Sequence, residues 1–195
     1  IDDPEDDHRH VNHLICVYPG RQVAPATTPE LAEAAKVGLV ARRDHGPEHP
    51  GWSRVWKASM FARLLDGEAA HGELRGALPT KICSTLWATH PPFQIDANFG
   101  YAAAGSEMLV QSHLEARNAE FRMRNSEFRI PHLIMLLPAL PEAWADGCVT
   151  GMRVRGGFEV DMEWREGKLT RAALRGVSNV DDACVVRCGD VSRPV

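Results

Sequence analysis

The chain has 195 residues, 44% of them apolar, and a formal net charge of −4. That is enough apolar material for one core or parts of two, and its cationic residues are scattered among acids with no basic stripe to bind nucleic acid. No apolar run has the length of a membrane span, and five cysteines without a CxxC pair give neither a zinc site nor a disulfide framework.

The first residues, IDDPEDDHRHVNHL, begin without Met and without a signal peptide, and they read as the middle of a longer polypeptide. Five acids precede His8, His10 and His13. On a helix His10 and His13 would share a face, as metal ligands do, yet no fourth ligand is spaced nearby. The same cluster serves as donors to sugar hydroxyls or as a structural network, and no metal is expected.

Thr28-Pro29-Glu30 is a helix start, with a hydroxyl cap, Pro at the first helical position and an acid in the first turn. The spacing predicts a helix that buries Leu31, Ala34, Ala35 and Gly38 and stops near Gly46. A second helix is predicted from Ser53 towards Leu65, with Val55, Trp56, Met60 and Leu64 on its apolar side, and a third over Glu68 to Leu78. Trp52, Trp56, Trp87 and Phe93 offer flat faces that stack on sugar rings or pack in a core.

THPPFQIDANFG, residues 89–100, holds a single acid, Asp96. One reading is a cap for a helix predicted over Tyr101–Glu115. The other starts from the amides of Gln94 and Asn98, whose hydrogen bonds would keep the carboxylate ionised and hold a water beside it, as a general base requires. The local pattern leaves both open.

NAEFRMR at 118–124 is followed by NSEFRI, two copies that are too few for a solenoid and read as a tandem insertion. Beyond Pro131 the period changes to two. FEVDMEW alternates Phe158, Val160, Met162 and Trp164 with Glu159, Asp161 and Glu163, as a half-buried strand does. Gly156-Gly157 and Glu166-Gly167 are turn pairs, so CVTGMRVR, FEVDMEW and KLTRAALR form a predicted antiparallel meander, with one more strand in DACVVRC.

Four blocks occur in an order that resembles the family-95 glycoside hydrolases, the inverting α-L-fucosidases and their α-L-galactosidase relatives. They are HRHVNHLICVYPG, GWSRVWKASMFARLLDGEAAH, HPPFQIDANFGYAAAGSEMLVQSH and LLPALPEAWADGCVTGMRVRGGFEVDMEW, and the likeness runs from residue 1 to about Arg187. It implies a mainly α fold with a β module. Residues 1–130 would be the late helices of an (α/α)6 catalytic barrel, with the insertion near 115–131, and residues 131–195 a C-terminal antiparallel β-domain.

It also implies that Asp96 is the catalytic base. His8, His10, His13, Trp52, Gln94 and Asn98 become substrate-binding candidates, His8 first among the histidines. The substrate would be a fucosylated or L-galactosylated oligosaccharide, with no cofactor. The family's general acid, a Glu, and two water-holding asparagines lie upstream of anything present, so the missing N-terminal part of the polypeptide is a required partner.

Two positions depart from the family pattern, Asn12 where it usually shows Ser and Ala97 where it usually shows Gly. The second would strain the backbone beside Asp96 if that position needed a positive φ. Twelve barrel helices with their loops need on the order of 250 to 350 residues, so this piece alone is expected to be inactive and poorly soluble. The competing readings are a non-catalytic carbohydrate-binding or structural remnant, and another (α/α)6 activity such as an inverting phosphorylase.

Overall fold

The computed structural model describes residues 8–44, 51–90, 93–116, 132–177 and 184–195, leaving out the side chains of residues 79–81. The acidic run at 2–7 and the tandem segment at 118–130 lie outside the described residues. A helical part is followed by a β part, and the chain divides into compact units Ile1–Met108 and Leu109–Val195.

In the first unit, α1 (Pro29–Asp44), α2 (Gly51–Arg63), α3 (Gly67–Lys81) and α4 (Ile95–Leu109) follow a short 3-10 turn at Asn12–Leu14. Helix α1 begins at Pro29 as expected, but its buried stripe is Ala32, Ala35, Leu39 and Arg42, while Leu31 is 57% exposed. Ala35 is buried as expected, but Leu31 and Ala34 face outward, because the small Ala32, and not the larger Leu31, meets the core.

Helix α2 is the central one, buried on nearly every side from Val55 to Arg63. A helix so placed would be apolar all round unless its polar groups found partners. Ser59 returns its hydroxyl hydrogen to the Val55 carbonyl, 3.0 Å away, and Arg63 forms an ion pair. The helix closes with Leu65 at φ 63°, Leu65 N–H on Ala62 O and Asp66 N–H on Phe61 O. That is the double hydrogen bond of a Schellman end.

Asp66 then caps α3, accepting from Ala69 N–H at 3.0 Å, and pairs with Lys36 of α1 at 2.8 Å. Burial opposes its ionisation, but the bonds from Lys36 and Ala69 prevail and hold its carboxyl below the ordinary value.

Helix α4 begins at Ile95, six residues before the expected start, and gives way after Leu109 to strand β1 (Val110–Glu115). The expected helix through Glu115 is corrected for a tertiary reason. Strand β2 (His132–Leu136) offers β1 an antiparallel partner, and a ladder of this kind overrides weak local preference.

The second unit has two sheets. One is the expected meander of β3 (Gly147–Val154), β4 (Phe158–Arg165) and β5 (Lys168–Gly176). The other has the order β1, β2, β6 (Cys184–Cys188), β7 (Val191–Pro194). The β-domain is not wholly antiparallel, since β2 and β6 run parallel. A parallel pair needs a crossover, and the whole meander lies within it.

Phe158, Val160, Met162 and Trp164 are buried as their alternation requires. Trp164 also donates its indole N–H to Trp144 O at 2.7 Å. Gly147 packs directly beneath that indole, where a Cβ would collide with the ring. All five cysteines are free. Among the described residues no helix is long and apolar enough to cross a membrane.

Candidate active site

Asp96 is the second residue of α4 and is exposed. It is not the N-cap. Gln94 stands just before the helix, and its backbone carbonyl accepts from Ala97 N–H at 3.2 Å. One Asp96 oxygen, Oδ1, accepts from the same Ala97 N–H at 2.8 Å. Free N–H groups in the first turn and the positive end of the helix dipole favour a carboxylate there, and its exposed position leaves it open to a water. Ala97 itself is 2% exposed, helical and not among the positive-φ residues, so alanine brings no backbone strain beside Asp96.

Asn98 spends its side chain on the protein. Its Oδ1 accepts from Ala88 N–H at 3.1 Å and its amide nitrogen donates to Leu86 O. The loop it holds is a small closed turn, with an Ile82–Ala88 bridge and a hydrogen bond from Cys83 N–H to Trp87 O at 2.9 Å. The turn presents Trp87 edge-on to Phe93, ring centroids 4.8 Å apart, both about half exposed. His90, next along the chain, has a buried Nδ1 with no hydrogen-bond partner. Sequence reasoning passed over it, although it stands six residues before Asp96 in the same motif.

Trp52 is brought to the same helix. It stacks on Trp56 with centroids 5.6 Å apart, and a Cβ at Gly100 would lie 3.3 Å from its Cζ3 and 2.5 Å from Val55 Cγ2. Gly100 belongs to the buried stripe of α4 one turn beyond Asp96, so Trp52 packs on that helix a turn away from the exposed carboxylate.

The histidines do not lie on one helix: His8 and His10 precede the 3-10 turn Asn12–Leu14, which carries His13. His8 and His10 lie with ring centroids 5.4 Å apart, and the His10 backbone N–H donates to His8 Nδ1 at 3.1 Å. Burial, then Arg9 and His8, push the His10 imidazole below its usual value, so the neutral ring is favoured. His13 is exposed on the 3-10 turn. Among the described residues no group of three His, Cys, Asp or Glu side chains is arranged to hold a metal ion.

Arg63 and Glu107 also escaped the sequence reading. They form a two-pronged ion pair, Nε to Oε2 at 2.6 Å and Nη2 to Oε1 at 2.9 Å. Nothing in a single sequence links positions so far apart.

Residues 1–109 match the glycosyl hydrolase family 95 catalytic domain, and residues 131–193 match the glycoside hydrolase family 95, C-terminal domain. Among curated relatives, alpha-L-fucosidase 2 of Arabidopsis thaliana is 39% identical over 96% of this chain and 21% of its own length. Probable alpha-fucosidase A of Aspergillus oryzae is 34% identical over 89% of this chain and 25% of its own. A protein of the same description from Aspergillus niger is 30% identical over 85% and 21%. The chain thus spans about a fifth to a quarter of the length of these relatives.

Proposed function

The chain belongs to glycoside hydrolase family 95, and from that premise we propose that it is the C-terminal part of an inverting exo-glycosidase that removes terminal α-L-fucosyl or α-L-galactosyl residues from glycans. The observation that carries this is the placement of Asp96, an exposed carboxylate in the first turn of α4, inside the part that matches the catalytic domain.

Asp96 takes a proton from a water, and the water oxygen attacks the anomeric carbon. The glycosidic bond breaks as a carboxylic acid on the opposite side, from an upstream segment, protonates the leaving oxygen. Inversion needs the two carboxyl groups roughly 6.5–9.5 Å apart, with the water between. Gln94, His8, His10, His13 and Trp52 serve as substrate contacts in this reading, and Asn98 acts through the loop it fastens. Two carboxyl groups suffice, so no cofactor is called for.

The helices up to α4 are then the last part of an (α/α)6 barrel, and the segment from residue 131 onward is the C-terminal domain. In support, large apolar side chains stand exposed on α1 (Leu31, Val37) and at the start of α4 (Phe93, Ile95, Phe99). Further barrel helices would cover such surfaces. This piece alone is therefore inactive, because both the acid and those helices come from elsewhere.

The test uses a version extended upstream to the length of the relatives, assayed on an α-1,2-fucosylated oligosaccharide, with anomer-resolved NMR of the first product. Asp96→Asn should lower kcat by about 10²- to 10⁴-fold with an unchanged circular dichroism spectrum, and the first product should be the β anomer. No cleavage of fucosides or L-galactosides by the unsubstituted protein would end the reading, and an active Asp96→Asn variant would return Asp96 to a local structural role. Cleavage that depends on added phosphate would point instead to a phosphorylase.

A further inference from the structure

Two buried charge clusters grip α2. One comprises Lys57, Arg54 and Glu73, with Arg43 and Asp44 acting from the end of α1. It joins α1, α2 and α3, none of which carries Asp96, His8, His10 or His13. The other is built on Arg63, at the C-terminal end of α2 and 5% exposed.

The Arg63 guanidinium works in three directions. Nε and Nη2 fork onto the Glu107 carboxylate of α4, at 2.6 and 2.9 Å. Nη1 donates to Gly20 O at 3.3 Å, and the flat face lies 5.1 Å from the centre of the Tyr18 ring. Two turns earlier, Trp56 donates its indole N–H to Tyr18 O at 3.0 Å. Positions 56 and 63 lie two turns apart on one stripe of α2, so the loop is fastened at two points along a line.

The loop is also tight. At Gly20 any Cβ would run into Ile15 O, the Gln22 side chain and the Cys16 backbone. Its Tyr18–Gly20 turn comes five residues after His13. On the other side, Glu107 stands eleven residues after Asp96, about 16 Å along one continuous helix. A two-pronged bond fixes both the rotation and the axial position of that helix, and a stiff helix carries any slip to its far end.

We infer that Arg63 is a positioning residue for the proposed active site: one guanidinium fastens the loop that follows the histidines, and the helix that bears Asp96, to a single stripe of α2. The role rests on the glycosidase reading above. It calls for arginine specifically, because a lysine ammonium offers neither the fork nor the flat face.

The test uses the version extended upstream, with Arg63→Lys, Glu107→Gln and the apolar pair Arg63→Met/Glu107→Leu. Each is measured for melting temperature, for kcat and KM on the fucosylated oligosaccharide, and for hydrogen exchange of the Ile15–Val23 amides. Replacing a buried ion pair by well-packed apolar groups is often neutral or stabilising, so a merely structural bridge would leave the apolar pair both stable and fully active. Positioning predicts a melting temperature at or above the unsubstituted value, kcat at least about tenfold lower, since an ångström of misplacement can cost about a hundredfold, and faster exchange from Ile15 to Val23.

Full kcat in any folded variant that lacks the fork, or unchanged exchange in that loop, overturns the inference. If the apolar pair does not fold, Arg63→Lys and Glu107→Gln decide by the same two readouts at unchanged melting temperature. Should the unsubstituted protein cleave no fucoside or L-galactoside, the glycosidase reading fails, and the exchange rates then decide the fastening alone. Faster exchange in Arg63→Lys upholds it and unchanged exchange defeats it.

Discussion

Lys57 is 1% exposed in the middle of α2, and burial pushes its amine down from 10.5 to about 8, with Glu73 opposing and Arg54 and Arg43 assisting the fall. At about 1.4 kcal/mol per unit, keeping the ammonium inside the fold costs about 3 kcal/mol at neutral pH. The sign follows from proton counting. Below about pH 8 both folded and unfolded chains hold the proton and the full penalty applies. Between about 8 and 10.5 the unfolded chain holds more protons, so stability climbs with pH.

Glu73 slopes the other way. Burial raises its carboxyl above the ordinary 4.5, so the folded chain holds the extra proton and stability falls as pH rises through that acidic window. Lys57→Met keeps the length of the side chain and removes the buried charge. It also removes one of the cations near Glu73, so the expected net gain is about 1–2 kcal/mol at neutral pH, shrinking towards zero near pH 10. Urea denaturation of the extended protein, followed by tryptophan fluorescence at both pH values, reads this directly. A variant less stable at neutral pH, or a difference that does not change with pH, would show that the Lys57 amine is not desolvated.

Three further substitutions test the packing that surrounds the site. Asp66→Ala removes the α3 cap and the Lys36 partner and should cost about 1–2 kcal/mol. Because the Asp66 carboxyl is held below its ordinary 3.8, that contribution is complete above this value and fades as pH falls through the lower, folded one, so the gap between variant and parent should close in strong acid. Gly100→Ala pushes a methyl to 2.5 Å from Val55 Cγ2, costing about 1–3 kcal/mol and shifting Trp52 emission, with recovery on adding Val55→Ala. Asn98→Asp keeps the bond from Ala88 N–H but sets an oxygen against Leu86 O, costing about 1–2 kcal/mol and speeding exchange at Ala88.

What the sequence determined by itself was whatever follows from neighbours along the chain. The Pro29 start, the Asp66-Gly67 junction and the alternation of Phe158 to Trp164 use residues a few positions apart, and the elements there stand where expected, although the Thr28 hydroxyl bonds back to Ala24 and does not cap α1. The motif around Asp96 was legible only as a resemblance, because one acid between amides is equally a helix cap.

Tertiary structure decided what depends on distant partners. Residues 110–115 became a strand because β2 lies alongside. Strand β6 joined β2 in parallel across the whole meander. Asn98 was drawn to the 86–88 loop and away from a free amide role. Arg63 found Glu107 and Gly20, and Lys57 was buried beside Glu73. Each of these outcomes is set by burial and by hydrogen bonds between groups far apart in the chain, and periodicity encodes only which face is apolar, not which face meets which.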